Sequence, residues 1–148
     1  MFSGRSVHTL DAKGRLSIPA IFRAHLVGEG EQAPTITHGE ADCLTIYPHA
    51  AWDRFRSSLE ALPWADPNSR SLRRYYFSGA TQCPIDKQGR ILIPPALREH
   101  AGLEREVVIA GMGSLIEIWD KVRFDANLQE TRSNLDEISS LVANWERR

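Results

Sequence analysis

Arg15 and Arg90 each follow a glycine and stand four residues after an aspartate, in a pattern that occurs twice, D-x-x-G-R-x-x-I-P-x-x-x-R. It reads Asp11, Gly14, Arg15, Ile18, Pro19 and Arg23, then Asp86, Gly89, Arg90, Ile93, Pro94 and Arg98. The planar fork of an arginine can grip a phosphate, or the O6 and N7 edge of guanine, with two parallel hydrogen bonds. Lys13 and Lys87 place a further cation inside each turn. Asp11 and Asp86 can bond nearby backbone amides, and Gly14 and Gly89 permit positive φ, so these four residues shape the loops. An ion pair with the aspartate across the turn is the competing role for Arg15 and Arg90. For Arg23 and Arg98, on a short helix behind the turn, packing or ion pairing is the favoured role. The same cation displayed on two turns points toward nucleic acid.

The rest of the chain offers no second chemistry. Cys43 and Cys83 do not form a CxxC pair, and the five histidines lack an HExxH or similar ligand spacing. No nucleophile–base pair or phosphate-cradling loop stands out, so the expectation is no catalysis, no cofactor and no metal, with both thiols free and buried. A net charge of −1 and a pI of about 6.5 sit awkwardly with nucleic-acid binding. Much of the acid, however, lies in residues 104–146, away from the turns. Beyond roughly 8 Å at physiological salt, remote charge is screened, so a basic tip can act on a neutral body. With 42% hydrophobic and 25% charged residues and no membrane-length apolar run, the chain reads as a soluble cytoplasmic protein without membrane contact.

The elements that must hold these turns come from an internal repeat. Residues 2–25 and 77–100 match at a constant offset of 77 − 2 = 75, with ten identities in 24 positions, where about one or two would arise by chance. The likeness resumes at an offset of 107 − 35 = 72, TITHG against VVIAG, with LTIY against IEIW. In the first copy, strands are predicted at 6–10 and 15–18 as a hairpin around DAKG, then a short helix after Pro19 with the stripe Ile21, Phe22 and Leu26. Strands at 35–38 and 43–47 follow. In the second, strands are predicted at 81–85, 90–93, 106–110 and 115–119, with a helix near Pro94–Pro95. Between the copies, Pro48 opens a helix with the stripe Trp52, Phe55, Leu59 and Leu62, which Pro63 stops. Another helix is predicted at 69–77, capped by Gly79. The tail carries Leu128, Leu135, Ile138, Val142 and Trp145 at seam-like spacing, which suits docking on its own domain or on another subunit. No flexible linker separates the copies, so they are expected to pack together around Leu16, Ile18, Ile91 and Ile93.

The segments HTLDAKGRLSIPAIFR, PIDKQGRILIPPALREHAGL, CLTIYPHAAW and LIEIWDKVRF resemble the MraZ family, bacterial proteins built from two tandem SpoVT/AbrB-type domains. The resemblance reaches to about residue 125. It implies a mostly β fold with α (α+β), a double-split β-barrel of two swapped-hairpin repeats, with helices between them and at the C-terminus. The matching organisation is repeat 1 at 5–51, connecting helices at 52–79, repeat 2 at 80–123 and a C-terminal helix at 124–148. It further implies a ring-shaped homo-oligomer that regulates transcription of the division and cell-wall operon, binding double-stranded promoter DNA with direct repeats, associated with the nucleoid. In this family the hairpin loop approaches DNA, which carries over to Lys13, Arg15 and Arg90, framed by Asp11, Gly14, Asp86 and Gly89. The second copy departs from the pattern: Gln88 replaces the lysine, and Lys87 precedes it. The alternative is an oligomeric protein-interaction module of antitoxin-like type.

Overall fold

The computed structural model describes residues 1–28, 30 and 32–146. Its strands are β1 (Arg5–Thr9), β2 (Arg15–Ser17), β3 (Thr35–His38), β4 (Leu44–Tyr47), β5 (Thr81–Gln82), β6 (Arg90–Leu92), β7 (Glu106–Gly111) and β8 (Ile116–Asp120). Its helices are α1 (Ala20–Leu26), α2 (His49–Glu60), α3 (Pro67–Gly79), α4 (Pro95–Ala101), α5 (Lys121–Ser133) and α6 (Leu135–Glu146). The fold is α+β, with an antiparallel six-stranded sheet in the order β1-β7-β8-β4-β3-β5 and a separate two-stranded ribbon of β2 and β6.

Apart from the hairpins β3–β4 and β7–β8, every ladder joins one copy to the other. β1 pairs with β7, β5 with β3, β2 with β6 and β4 with β8. The expected hairpin of 6–10 with 15–18 therefore does not form as a ladder. The turn after Asp11 instead sends the chain onto the second copy, where Leu16 faces Ile91. The physical reason is burial. Leu16, Ile18, Ile91 and Ile93 are all at most 1% exposed and belong to one core with Ile36, Leu44, Ile46, Val107, Ile109, Ile116 and Ile118. Each copy alone would leave the apolar side of its ribbon strand in water. The end strands β1 and β5 do not pair with each other, and no ladder joins the ribbon to the sheet. Among the described residues the ladders are thus open rather than a closed barrel.

The helices depart from expectation in four places. On α1 the buried residues are Phe22 and Leu26, while Ile21 is 70% exposed. Helix α2 ends at Glu60, before Pro63, and the Arg73 guanidinium donates to the carbonyls of Leu59, Glu60 and Leu62 at its end. Gly79 is not a cap but the last residue of α3; Ala80 caps the helix in an extended conformation. The tail is two helices, α5 from Lys121 and α6 beyond Asn134, and the apolar side chains of α6 lie exposed. Strand β5 is shortened to two residues, because Pro84 cannot donate to a ladder. Cys43 and Cys83 are free and buried, and burial pushes both thiols up to about 12.

Candidate nucleic-acid interface

Each turn is built by its aspartate. Asp11 Oδ1 accepts from the amides of Lys13 (2.9 Å) and Arg15 (2.8 Å), while the Gly14 amide donates to the Asp11 carbonyl at 3.0 Å. Asp86 Oδ1 accepts from Gln88 (2.8 Å) and Arg90 (2.9 Å), and the Gly89 amide donates to the Asp86 carbonyl at 3.0 Å. Gly14 and Gly89 have φ of 86° and 79°, the left-handed region that a side chain resists. The Arg15 amide, followed by its guanidinium and the Lys13 amide, holds the Asp11 carboxyl down to about 2, and the same kinds of bonds lower Asp86.

The turns are also clamped across the copies. The guanidinium of Arg98 lies over Gly14, where an added Cβ would sit 2.8 Å from its Cζ, and Arg23 lies over Gly89 in the same manner. Arg23 Nη1 donates to the Ile18 carbonyl at 2.7 Å. Both residues therefore pack, as expected, and each secures the turn opposite to its own.

Arg15 and Arg90 do form the ion pairs that competed with a binding role. Arg15 Nε lies 2.7 Å from Asp11 Oδ2, and Arg90 Nε 3.1 Å from Asp86 Oδ2. The pair engages only Nε. The two Nη groups of each arginine make no hydrogen bond to a described residue. A carboxylate on one edge fixes the plane of the guanidinium and leaves the fork free, so the ion pair and outward recognition coexist.

The ribbon brings these forks together. Register pairs Arg15 with Leu92 and Ser17 with Arg90, while Leu16 and Ile91 point into the core. Strand alternation therefore puts Arg15, Ser17, Arg90 and Leu92 on one outward face, the two arginines on diagonal positions about 7–8 Å apart. Lys13 and Lys87 are exposed at its two ends. Sequence reasoning placed the arginines on two separate hairpin tips and missed Ser17 and Leu92. The signal was present in RLS and RIL: with the middle residue apolar, its neighbours must face out. Leu92 is 58% exposed on this face.

Against this geometry, the chain matches one family model, "MraZ protein, putative antitoxin-like", over residues 1–75 and again over 76–141. The chain belongs to the MraZ family. It is 41% identical to the transcriptional regulator MraZ of Heliobacterium modesticaldum over 146 residues, 99% of each chain. It is 45% identical to that of Lachnoclostridium phytofermentans over 145 residues, 98% of this chain and 97% of the other. It is 43% identical to that of Thermomicrobium roseum over 129 residues, 87% and 88% of the two chains. Within this MraZ-family chain the two turns are not equivalent. Gln88, not Lys87, occupies the place of Lys13, because it is the Gln88 amide that bonds the turn aspartate.

Proposed function

We propose that this protein is a sequence-specific DNA-binding regulator of transcription without catalytic activity, and that the outer face of the β2–β6 ribbon reads DNA. The observation that carries the reading is the pair of arginine forks, one from each copy, free on one face of a two-stranded ribbon. The major groove of B-DNA admits such a ribbon, and Arg15 and Arg90 would each bind a guanine edge. Lys13 and Lys87 would contact phosphates, with Asp11, Gly14, Asp86 and Gly89 holding the loops. The names of the relatives support a regulator. No described helix is long and apolar enough to cross a membrane.

We read the crossed ladders around one core as a double-split barrel, with repeat units at 5–51 and 80–123, connecting helices at 52–79 and a C-terminal region at 124–148 that is helical up to residue 146, the last two residues lying outside the described ones. A single ribbon supplies few base contacts, so a ring of identical subunits on direct promoter repeats of the division and cell-wall operon would raise avidity by about 10²–10⁴. The exposed apolar face of α6, with Leu135, Ile138, Leu141, Val142 and Trp145, supports contact between subunits. It equally favours a second reading, an antitoxin-like module that holds a protein partner. Footprinting on DNA upstream of the protein's own gene, together with the mass of the free protein, separates them. Protected direct repeats support the first reading. No DNA binding at low salt overturns it in favour of the second.

A further inference from the structure

We propose that the cavity between α2, α3 and the β4–β8 seam binds a small organic cation, an amine or guanidinium that also carries a carboxylate. Its volume of about 440 Å³ lies in the range of small-ligand sites. The wall is aromatic. Tyr47 stacks on Phe55 with centroids 5.3 Å apart and planes 8° apart, and Tyr76 stands edge-on to Phe55 at 4.9 Å. Stacked in this way, the rings give the cavity a firm apolar wall against which the stem of a ligand can pack. Tyr47 and Tyr76 are each only 8% exposed, and the Tyr76 hydroxyl, on the cavity wall, has no hydrogen-bond partner among the described residues.

Two carboxylates enter the same space. Glu117 is half-buried; it accepts from Trp119 Nε1 at 3.0 Å and from Cys43 Sγ at 3.7 Å, neither of them a cation. Glu40 lines the opening and makes no ion pair with a described residue. Burial above all, then the neighbouring Tyr76 phenol, and after it the charges of Glu40 and Glu117, push the Tyr47 phenol above its ordinary range. Glu117 is held by two neutral donors and forms no ion pair with a described residue, so a ligand cation would be its first charged partner. Arg54, on the rim and likewise without an ion pair among the described residues, is placed to receive an anionic end. The mixed lining thus selects a zwitterion over a simple anion.

The test uses the full chain, with L-arginine and agmatine as probes and hexanoate as the anionic control, read by calorimetry and by the fluorescence of the tryptophans, Trp119 being bonded to Glu117. Saturable binding of L-arginine at one site per chain, weaker binding of agmatine, which lacks the carboxylate, and none of hexanoate, are expected. Glu40→Gln with Glu117→Gln, which keeps an acceptor for Trp119, should weaken both probes at least tenfold. Arg54→Gln, on the exposed rim, should weaken L-arginine alone. Absence of saturation by either probe up to about 10 mM, or unchanged affinity in these variants, overturns the proposal. A change of oligomer mass in the glutamine variants without any probe binding also overturns it, by assigning the cavity to a side chain of another copy. No DNA enters the measurement, so its result is independent of the regulatory reading.

Discussion

The tripeptide Phe-Ser-Gly occurs at 2–4 and at 77–79, and the two copies fold it differently. In the first, Phe2 bridges Gly113 and packs edge-on to Phe22 at 5.6 Å, and Gly4 has φ of 81°. In the second, the three residues end α3, which Asp66 caps by accepting from the Asn68 amide and Pro67 starts. Gly4 is needed for its backbone angle, with open space around it. Gly79 is needed for space, since a Cβ would lie 2.8 Å from the His38 ring, which stacks on His100. The strand that follows differs as well. Five residues of β1 pair with β7, but only two of β5 pair with β3, one residue out of the equivalent register: Val7 opposes Val108, whereas Gln82 opposes Thr35 and not Ile36. The D-x-x-G-R turns, by contrast, superpose bond for bond. Structure made by a side chain within four residues is retained in both copies, as are the reciprocal clamps of Arg98 over Gly14 and Arg23 over Gly89; the Phe-Ser-Gly segment and the strand after it, whose partners differ, are not.

The strongest way to break this comparison is to separate the copies. A fragment of residues 1–64 should not fold, since β1 and β2 lose their ladder partners and Leu16 and Ile18 lose half their core. A monomeric fragment with a sharp thermal transition by circular dichroism would show that the copies are independent. Next in size are Leu16→Ala and Ile91→Ala, which should each cost about 2–5 kcal/mol. Because the two oppose each other in one ribbon, the double variant should depart from additivity by about 0.5–3 kcal/mol in denaturant melts. Strict additivity would mean the ribbon is not a shared element.

Smaller effects test whether the two turns act alike on DNA. Arg15→Ala and Arg90→Ala should each weaken binding by about 1–3 kcal/mol and relax preference at one base, with little change in melting. Wild-type affinity of the double variant on a single-site duplex would remove the ribbon from recognition. Gln88→Lys sharpens the comparison further: it should steepen the dependence of log K on log salt by about 0.9, and Lys13→Ala should flatten it by a similar amount. Equal slopes for all three proteins would show that this turn position does not reach phosphate.

The smallest effect concerns acid. A carboxyl held low in the fold stabilises it above the ordinary carboxylate range, and that contribution fades as pH falls through the lowered value. Asp11 should thus titrate near 2 by NMR, with Asp86 also below its ordinary value. Both turns should therefore stay intact at mildly acidic pH, and a normal midpoint for either would mean that its turn hydrogen bonds are not formed in solution.

The sequence by itself determined the repeat, the two turns, their glycines and aspartates, the strands of β3–β4 and β7–β8, and four residues of the core. Each of these depends on residues close in the chain or on a period of two or 3.6. Leu16, Ile18, Ile91 and Ile93 could be named as core because alternation needs no knowledge of the partner. Only the tertiary structure decided which strand β2 would meet, because a three-residue strand has the same pattern whether it pairs with its neighbour or with a segment 75 residues away. That choice follows from burial summed over both copies, which no local window contains. It also decided that Arg15 and Arg90 share one face, that Arg23 and Arg98 each cover the opposite copy's glycine, and that Phe-Ser-Gly ends a helix at 79 and forms a bridge at 2. In each case the deciding contact comes from the other copy or from an element distant in the chain.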